Sequence, residues 1–418
     1  MQSDGFSTLF VAFLALTLLV RFWLAARQIR HVRAHRGAVP AQFAEKIPLA
    51  AHQKAADYTV AKNKLGLVLL LVNAAVLVCF TLLGGLQWLS TAIRDLAGAG
   101  MVYQLALLAA FAAISGAVDL PFEYYRQFVL EERFGFNKMS RSLFVADLVK
   151  GTVLGAAIGL PLAWVVLTLM AKAGDLWWLY AWVVWCAFQL LLLVLYPTVI
   201  APLFNKFTPL EDDSLRQRIE GLMRRVGFAS KGLFVMDGSK RSAHGNAYFS
   251  GFGAAKRIVF FDTLLSRLAP AEIEAVLAHE LGHFKLRHIV KRIVVMFGLS
   301  LAFLALLGYL KTQAWFYTGL GVLPAMDAPN DALALILFTL ALPVFTFLLS
   351  PLGSLTSRKH EFEADAFAAR HSNSDDLVSA LVKLYEDNAS TLTPDPIHSA
   401  FYDSHPPATV RINRLLAG

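Results

Sequence analysis

Cysteine and charge are both scarce in this chain of 418 residues. The two cysteines, Cys79 and Cys186, fall inside apolar stretches. That excludes a disulfide framework and a thiolate zinc site, and predicts core packing for both. Charged residues make up 16% of the chain, hydrophobic residues 57%, and the mean hydropathy is +0.55. A soluble protein carries about a quarter charged residues, so this is a membrane composition. Internal repeats and low-complexity tracts are absent. The start, Met1-Gln2-Ser3-Asp4, lacks the basic residues of a cleaved signal peptide, and Leu415-Leu416-Ala417-Gly418 carries no retention or lipidation signal. The first apolar run is therefore expected to remain as a membrane helix.

What is present begins with seven runs long enough to cross a hydrocarbon core of about 30 Å, which takes about 20 helical residues. They are expected at 5–25, 65–89, 101–121, 151–173, 177–197, 289–310 and 331–349. Trp177, Trp178, Tyr180, Trp182 and Trp185 at one end of the fifth suggest an interfacial belt. The net charge of +8 does not indicate a nucleic-acid partner, because the basic residues sit in alternate loops. Arg27, Arg30, Arg33, Arg36, Lys46, Lys54, Lys62 and Lys64 follow the first run, and Arg126, Arg133, Lys138 and Arg141 follow the third. The opposite loops hold little beyond Arg94, Lys172 and Lys311. The positive-inside rule then puts the N-terminus outside and the C-terminus in the cytoplasm.

Four parts follow from this division. Residues 1–199 hold five transmembrane helices, 200–288 a cytoplasmic segment, 289–353 the last two transmembrane helices, and 354–418 a second cytoplasmic segment. The first cytoplasmic segment opens with an amphipathic helical pattern at 213–226. β-type runs follow at 232–236, 246–252 and 257–261, the last two punctuated by Gly251-Phe252-Gly253 as in a hairpin. The second segment is mostly helical.

The chemistry lies in Ala278-His279-Glu280-Leu281-Gly282-His283-Phe284, inside a helical pattern opened by Pro270-Ala271-Glu272. Residues four apart share a helix face, so His279 and His283 can both direct a ring nitrogen at one zinc ion. Glu280 can take the proton of a water on the metal's open position. If the helix continues into the sixth span, His283 lies about 10–15 Å from the hydrocarbon. A short outer loop, 311–330, should bring the cytoplasmic ends of the sixth and seventh spans together, so a third ligand is expected just after the seventh.

There the chain reads Ser357-Arg358-Lys359-His360-Glu361-Phe362-Glu363-Ala364-Asp365. Glu361 and Asp365 share a helix face; one can bind the metal while the other holds a ligating histidine by its second nitrogen. Two histidines and a distant glutamate make a common catalytic zinc set, which makes Glu361 the candidate third ligand and Asp365 its support. Leu286 and Ile289 stand where a metzincin has its glycine and third histidine, excluding that class. Glu363 points roughly 200° away from Glu361 and reads as a surface or packing charge. His244 and His288 fit no ligand spacing and read as interface or surface residues.

With these motifs the chain resembles the CAAX prenyl protease 1 family, integral-membrane zinc metalloendopeptidases of the gluzincin type. The resemblance adds Asn246-Ala247-Tyr248-x-x-Gly251, His405-Pro406-Pro407 and Arg411-Ile412. It implies a mainly α fold: seven transmembrane helices enclosing an intramembrane chamber, closed by a cytoplasmic zincin-like α+β catalytic domain with one Zn²⁺ per chain. It further implies that Asn246 lies at the substrate-binding strand, that His405 stabilises the oxyanion, and that Arg411 anchors the tail or the substrate. The implied partners are a peptide or protein substrate, prenylated or membrane-associated, and the lipid bilayer, with no nucleic acid. The Ala- and Leu-rich composition suggests a bacterial inner membrane, with the active site toward the cytoplasm. A transporter with a zinc-binding domain would place ionisable groups mid-span, whereas Arg21 and Asp119 lie toward span ends. A scaffold with a structural zinc would fill all four metal positions with protein ligands.

Overall fold

The computed structural model describes residues 2–250, 257–325 and 329–417. Among them, seven helical stretches are long and apolar enough to cross a membrane: Ser3–Ala34, Leu49–Phe80, Met101–Glu131, Arg141–Lys172, Gly174–Phe204, His288–Leu310 and Asp331–His371. Each packs against the next in chain order, the second reaching the third through the helix Gly85–Ala97, and the seventh returns to the first. The spans thus close into a ring.

The ring is hollow, and burial shows why. A tightly packed bundle buries an apolar stripe along every helix. Here the second span buries only His52, Ala55, Ala56, Tyr58 and Val60 near one end and Phe80 at the other. The helix Arg141–Lys172 buries only Leu167 and Met170. Apolar packing is instead gathered mainly into two large cores, with smaller clusters around Tyr58 and Phe134 and around Val32 and Ala56. One contains Phe10, Leu86, Leu107, Leu167, Trp177, Leu307, Leu320 and Leu337. Those on the spans come alternately from starts and ends, with Leu86 and Leu320 on the connections between them, which places this core at one mouth of an up-and-down ring. The other core, around Ile219, Leu222, Phe260, Leu277, Leu281 and Ala380, lies mostly outside the spans and caps the opposite mouth.

That cap contains a sheet of four strands: β1 (Phe207–Pro209), β2 (Leu233–Met236), β3 (Ala247–Ser250) and β4 (Arg257–Phe261). Their spatial order is β1-β2-β4-β3, with β2 and β4 parallel and the outer pairs antiparallel. Central β4 buries Ile258, Val259 and Phe260, while β3 forms an edge. The three sequence runs correspond to β2, β3 and β4, and the amphipathic pattern to the helix Asp213–Arg225. β1 has three residues, one of them proline, too short to show alternation. The hairpin's punctuation at Gly251-Phe252-Gly253 lies outside the described residues.

Several expectations need correcting. The second span begins earlier and stops at Phe80 rather than 89, because Gly84 adopts φ 75 and a Cβ on Gly85 would lie 2.6 Å from the carbonyl oxygen of Cys79. Cys79 is exposed rather than packed, and Cys186 is half-buried. The tryptophan cluster is only partly a belt. Trp177 is 3% exposed in the core with the Lys311 ammonium 4.9 Å from its ring, and Trp182 donates to the Phe297 carbonyl at 2.9 Å. Tyr180 and Trp185 do face outward.

Candidate active site

The helix Pro270–Lys285 carries both histidines. Pro270 at its first position has no N–H to leave unpaired, and Glu272 turns back to accept from the Ala269 N–H at 2.7 Å. Ile273, Leu277, Ala278 and Leu281 bury one stripe in the cytoplasmic core. The helix Ser350–His371 crosses it, continuing the seventh span through a 3₁₀ turn at Phe347–Leu349. Their contact depends on Gly282, where a Cβ would lie 3.0 Å from the Ala364 Cα and 3.1 Å from the Phe367 Cβ. Replacing Gly282 by valine is therefore expected to force the helices apart and destabilise the fold by about 1–3 kcal/mol. Thermal unfolding and metal content of the purified variant would check this, and both should fall.

That close approach assembles the donor set. His279 Nε2 lies 3.2 Å from His283 Nε2 and 3.5 Å from Glu361 Oε2, and His283 Nε2 lies 3.3 Å from Glu361 Oε1. Ligands at about 2.0–2.1 Å from a tetrahedral zinc stand about 3.3 Å from one another. Glu361 Oε2 is buried without a hydrogen bond of good geometry, although His405 Nδ1 approaches it to 2.8 Å. The three side chains fit a metal. Glu280 stands beside them, half-buried, and makes no hydrogen bond or ion pair among the described residues.

Asp365 Oδ1 accepts from His279 Nδ1 at 2.8 Å, fixing the ring with Nε2 toward the donor cluster. Asp365 is itself gripped by Arg411, whose Nη2 and Nε reach its two oxygens at 2.6 and 2.9 Å. Arg411 is 6% exposed, and its Nη1 lies 3.7 Å from Glu361 Oε2. Of the two roles implied for Arg411, anchoring the tail is the one this geometry serves. Two of its donors are committed to the buried Asp365 carboxylate. Arg358 adds a second tail anchor, donating to the Ser399 carbonyl and, at 3.2 Å, to that of Asp403.

Burial by itself would lower the His279 pKa, but hydrogen bonds from Asp365 and then Glu361 outweigh it and raise the value to about 9. In the metal-free protein, protonated His279 thus adds stability that is complete below its ordinary 6.5 and is lost as pH rises through about 9. A metal must displace that proton. Binding of a divalent metal at pH 7 is expected to release close to one proton from His279, with affinity climbing as pH rises toward about 9. Calorimetry in two buffers of different ionisation enthalpy would measure the release.

The remaining candidates are arranged differently. Asn246 is exposed where β3 begins, its carbonyl accepting from the Phe261 N–H at 3.0 Å and its side chain from the Ala247 N–H at 2.8 Å. His405 lies between the helices Pro396–Tyr402 and Ala408–Leu416, with a 62% exposed side chain. His244 stacks on Phe136 at 4.4 Å and lies 3.5 Å from Glu131, an interface residue as expected. His288 departs from a surface reading: it is 4% exposed, and its Nε2 lies 2.8 Å from Glu363, a half-buried packing charge. Arg287, at φ 57, breaks the helix between Lys285 and His288, so the zinc-motif helix and the sixth span are not continuous. The only signal in the sequence was a third histidine five residues after His283, a spacing that fits no single helix face.

Comparison with known proteins gives this arrangement a context. Residues 28–206 match the family model "CAAX prenyl protease N-terminal, five membrane helices", and residues 209–417 match "Peptidase family M48". A CAAX prenyl protease 1 homolog of Arabidopsis thaliana is 40% identical over 318 residues, covering 75% of this chain and 74% of the relative. CAAX prenyl protease 1 of Saccharomyces cerevisiae is 39% identical over 74% of this chain and 71% of its own length. The homolog of Mus musculus is 32% identical over 97% and 95%. This chain belongs to the CAAX prenyl protease 1 family. The crystal structure of S. mikatae Ste24p superposes with a TM-score of 0.91 at 32% identity, covering 98% of this chain and 99% of that one. The chain is therefore a membrane-embedded metallopeptidase of the M48 type. Its hollow ring is the five-helix N-terminal part of the CAAX prenyl protease family closed by two further spans, and a metal cofactor goes with the family.

Proposed function

We propose that the cofactor is one zinc ion per chain, held by His279, His283 and Glu361, and that the enzyme cleaves peptide bonds near a lipidated or strongly apolar end of its substrate. The observation that carries this reading is the tetrahedral-edge spacing of the three donors beside an unpaired Glu280. Zinc, when bound there, supplies Lewis-acid polarisation of the scissile carbonyl and of the attacking water. Glu280 takes the water's proton and passes it to the leaving amine nitrogen. His405, exposed beside Glu361, donates to the carbonyl oxygen as it gains negative charge. Asp365 keeps His279 in the tautomer with a free Nε2, and Arg411 keeps Asp365 ionised and in place.

The edge of β3, opening at Asn246, suits an extended peptide held by main-chain hydrogen bonds. A peptide laid there has the hollow ring beneath it, where an apolar substituent avoids water. The relatives' name, CAAX prenyl protease, points to prenylated C-terminal peptides; membrane or misfolded proteins satisfy the same apolar requirement. The basic loops set the catalytic cap on the cytoplasmic side. The relatives compared come from a plant, a yeast and an animal, and they lend no support to a bacterial inner membrane.

The test uses one fluorogenic peptide sequence with and without a prenyl thioether. Prenylation is expected to raise kcat/KM, chiefly through KM. Equal values for the two peptides would contradict a role for the ring in binding the lipid.

A further inference from the structure

The second metal-binding histidine has a support of its own that mirrors the one behind the first. His283 directs Nε2 at the donor cluster, and its other nitrogen, Nδ1, lies 3.0 Å from His288 Nδ1. His288 Nε2 in turn lies 2.8 Å from Glu363 Oε2. The protons along this chain can be placed one by one. When Nε2 of His283 gives its lone pair to a metal, Nδ1 must carry the ring's proton. That N–H can donate only to a bare Nδ1 on His288, which leaves the His288 proton on Nε2. A buried N–H there needs an acceptor, and the Glu363 carboxylate supplies it.

We propose that His288 and Glu363 are positioning residues for the metal site, forming a Glu363–His288–His283 relay that fixes the tautomer and orientation of His283. The inference rests on the zinc reading above. It makes the site symmetric in design: His279 is backed directly by Asp365, and His283 is backed through one imidazole by Glu363. Both backing carboxylates follow Glu361 on the one helix Ser350–His371. Glu363 does point away from Glu361, as its helical angle requires. The helix break at Arg287 brings His288 to that far side, where the two meet.

His288, His360 and Glu363 also offer donor atoms close enough together to hold a metal of their own. The rings of His288 and His360, however, stack nearly parallel at 4.0 Å and 12°. Stacked imidazoles direct their in-plane lone pairs side by side rather than toward a shared point. His360 thus serves as a cover on His288.

The test measures zinc stoichiometry and zinc affinity, by competition with a chromophoric chelator, for the full-length protein and for Glu363→Gln, His288→Phe and His360→Phe. The wild type should bind one zinc. His288→Phe should weaken binding about 10–100-fold, the range seen when an outer-sphere partner of a metal-bound histidine is lost. Glu363→Gln should weaken it less, since the amide oxygen still accepts, and His360→Phe should leave it unchanged. Thermal unfolding of the metal-free forms should not differ between Glu363→Gln and wild type, because that side chain is 35% exposed. If His288→Phe fails to fold, Glu363→Gln decides the matter by the same criterion. Unchanged affinity in Glu363→Gln and His288→Phe would overturn the relay. So would a second zinc in the wild type that is lost in His360→Phe. A wild type that binds no zinc would instead overturn the zinc reading on which the relay rests.

Discussion

Replacing Glu280 with glutamine is expected to lower kcat by at least about 10²–10⁴-fold while leaving the zinc content at one per chain. Glu280 makes no hydrogen bond or ion pair among the described residues, so its loss removes no structural contact. Glutamine keeps the shape and the acceptor oxygen but cannot take a proton. KM should change little if the residue acts only on the proton of the attacking water. Stopped assays on a fluorogenic peptide, with metal analysis of the same preparation, would separate this from a metal-binding defect. A variant that lost activity together with its zinc would point to a ligand role instead.

Arg411→Met should produce the largest loss of stability, about 3–5 kcal/mol, the usual cost of breaking a buried ion pair by removing one partner. Asp365 is 3% exposed and Glu361 4%, so neither carboxylate can turn to water when the guanidinium goes. Arg411 holds Asp365 through two hydrogen bonds, and Asp365 orients His279, so the variant should also bind zinc more weakly. Thermal unfolding of the chelator-treated protein in detergent would isolate the structural part. The double variant Arg411→Met with Asp365→Leu should recover part of the stability, since matched apolar groups replace the pair without leaving a charge. It should not recover zinc affinity, because His279 Nδ1 then has no acceptor.

Much of this architecture is written in local patterns. The four-residue spacings of His279 with His283 and of Glu361 with Asp365 each lie within one helix, so periodicity alone puts the members of each pair on one face. The seven spans are long enough that hydropathy finds them, and the alternation of basic loops orders their ends. What stayed hidden depends on contacts between distant segments or on backbone geometry. The helix break at Gly84-Gly85 needs a left-handed Gly84 and a close approach of Gly85 to the Cys79 carbonyl, which no apolar count reveals. The burial of Arg411 depends on the tail folding back over Asp365. His288 and Glu363 meet across the helix break at Arg287, so the sequence shows His288 only as an interface or surface residue and Glu363 only as a surface or packing charge. Gly282 stood inside the motif in plain view, yet its purpose is set by Ala364 and Phe367, some eighty positions along the chain.

A single metal centre at His279, His283 and Glu361 is proposed to carry the hydrolysis, and metal removal with titrated return tests this most directly. Protein stripped with a chelator should cleave no peptide. Activity should return in proportion to added zinc and level off at one equivalent per chain, and Glu361→Ala should show no recovery at that ratio. Full cleavage by the stripped protein, or recovery by Glu361→Ala equal to wild type, would contradict the claim.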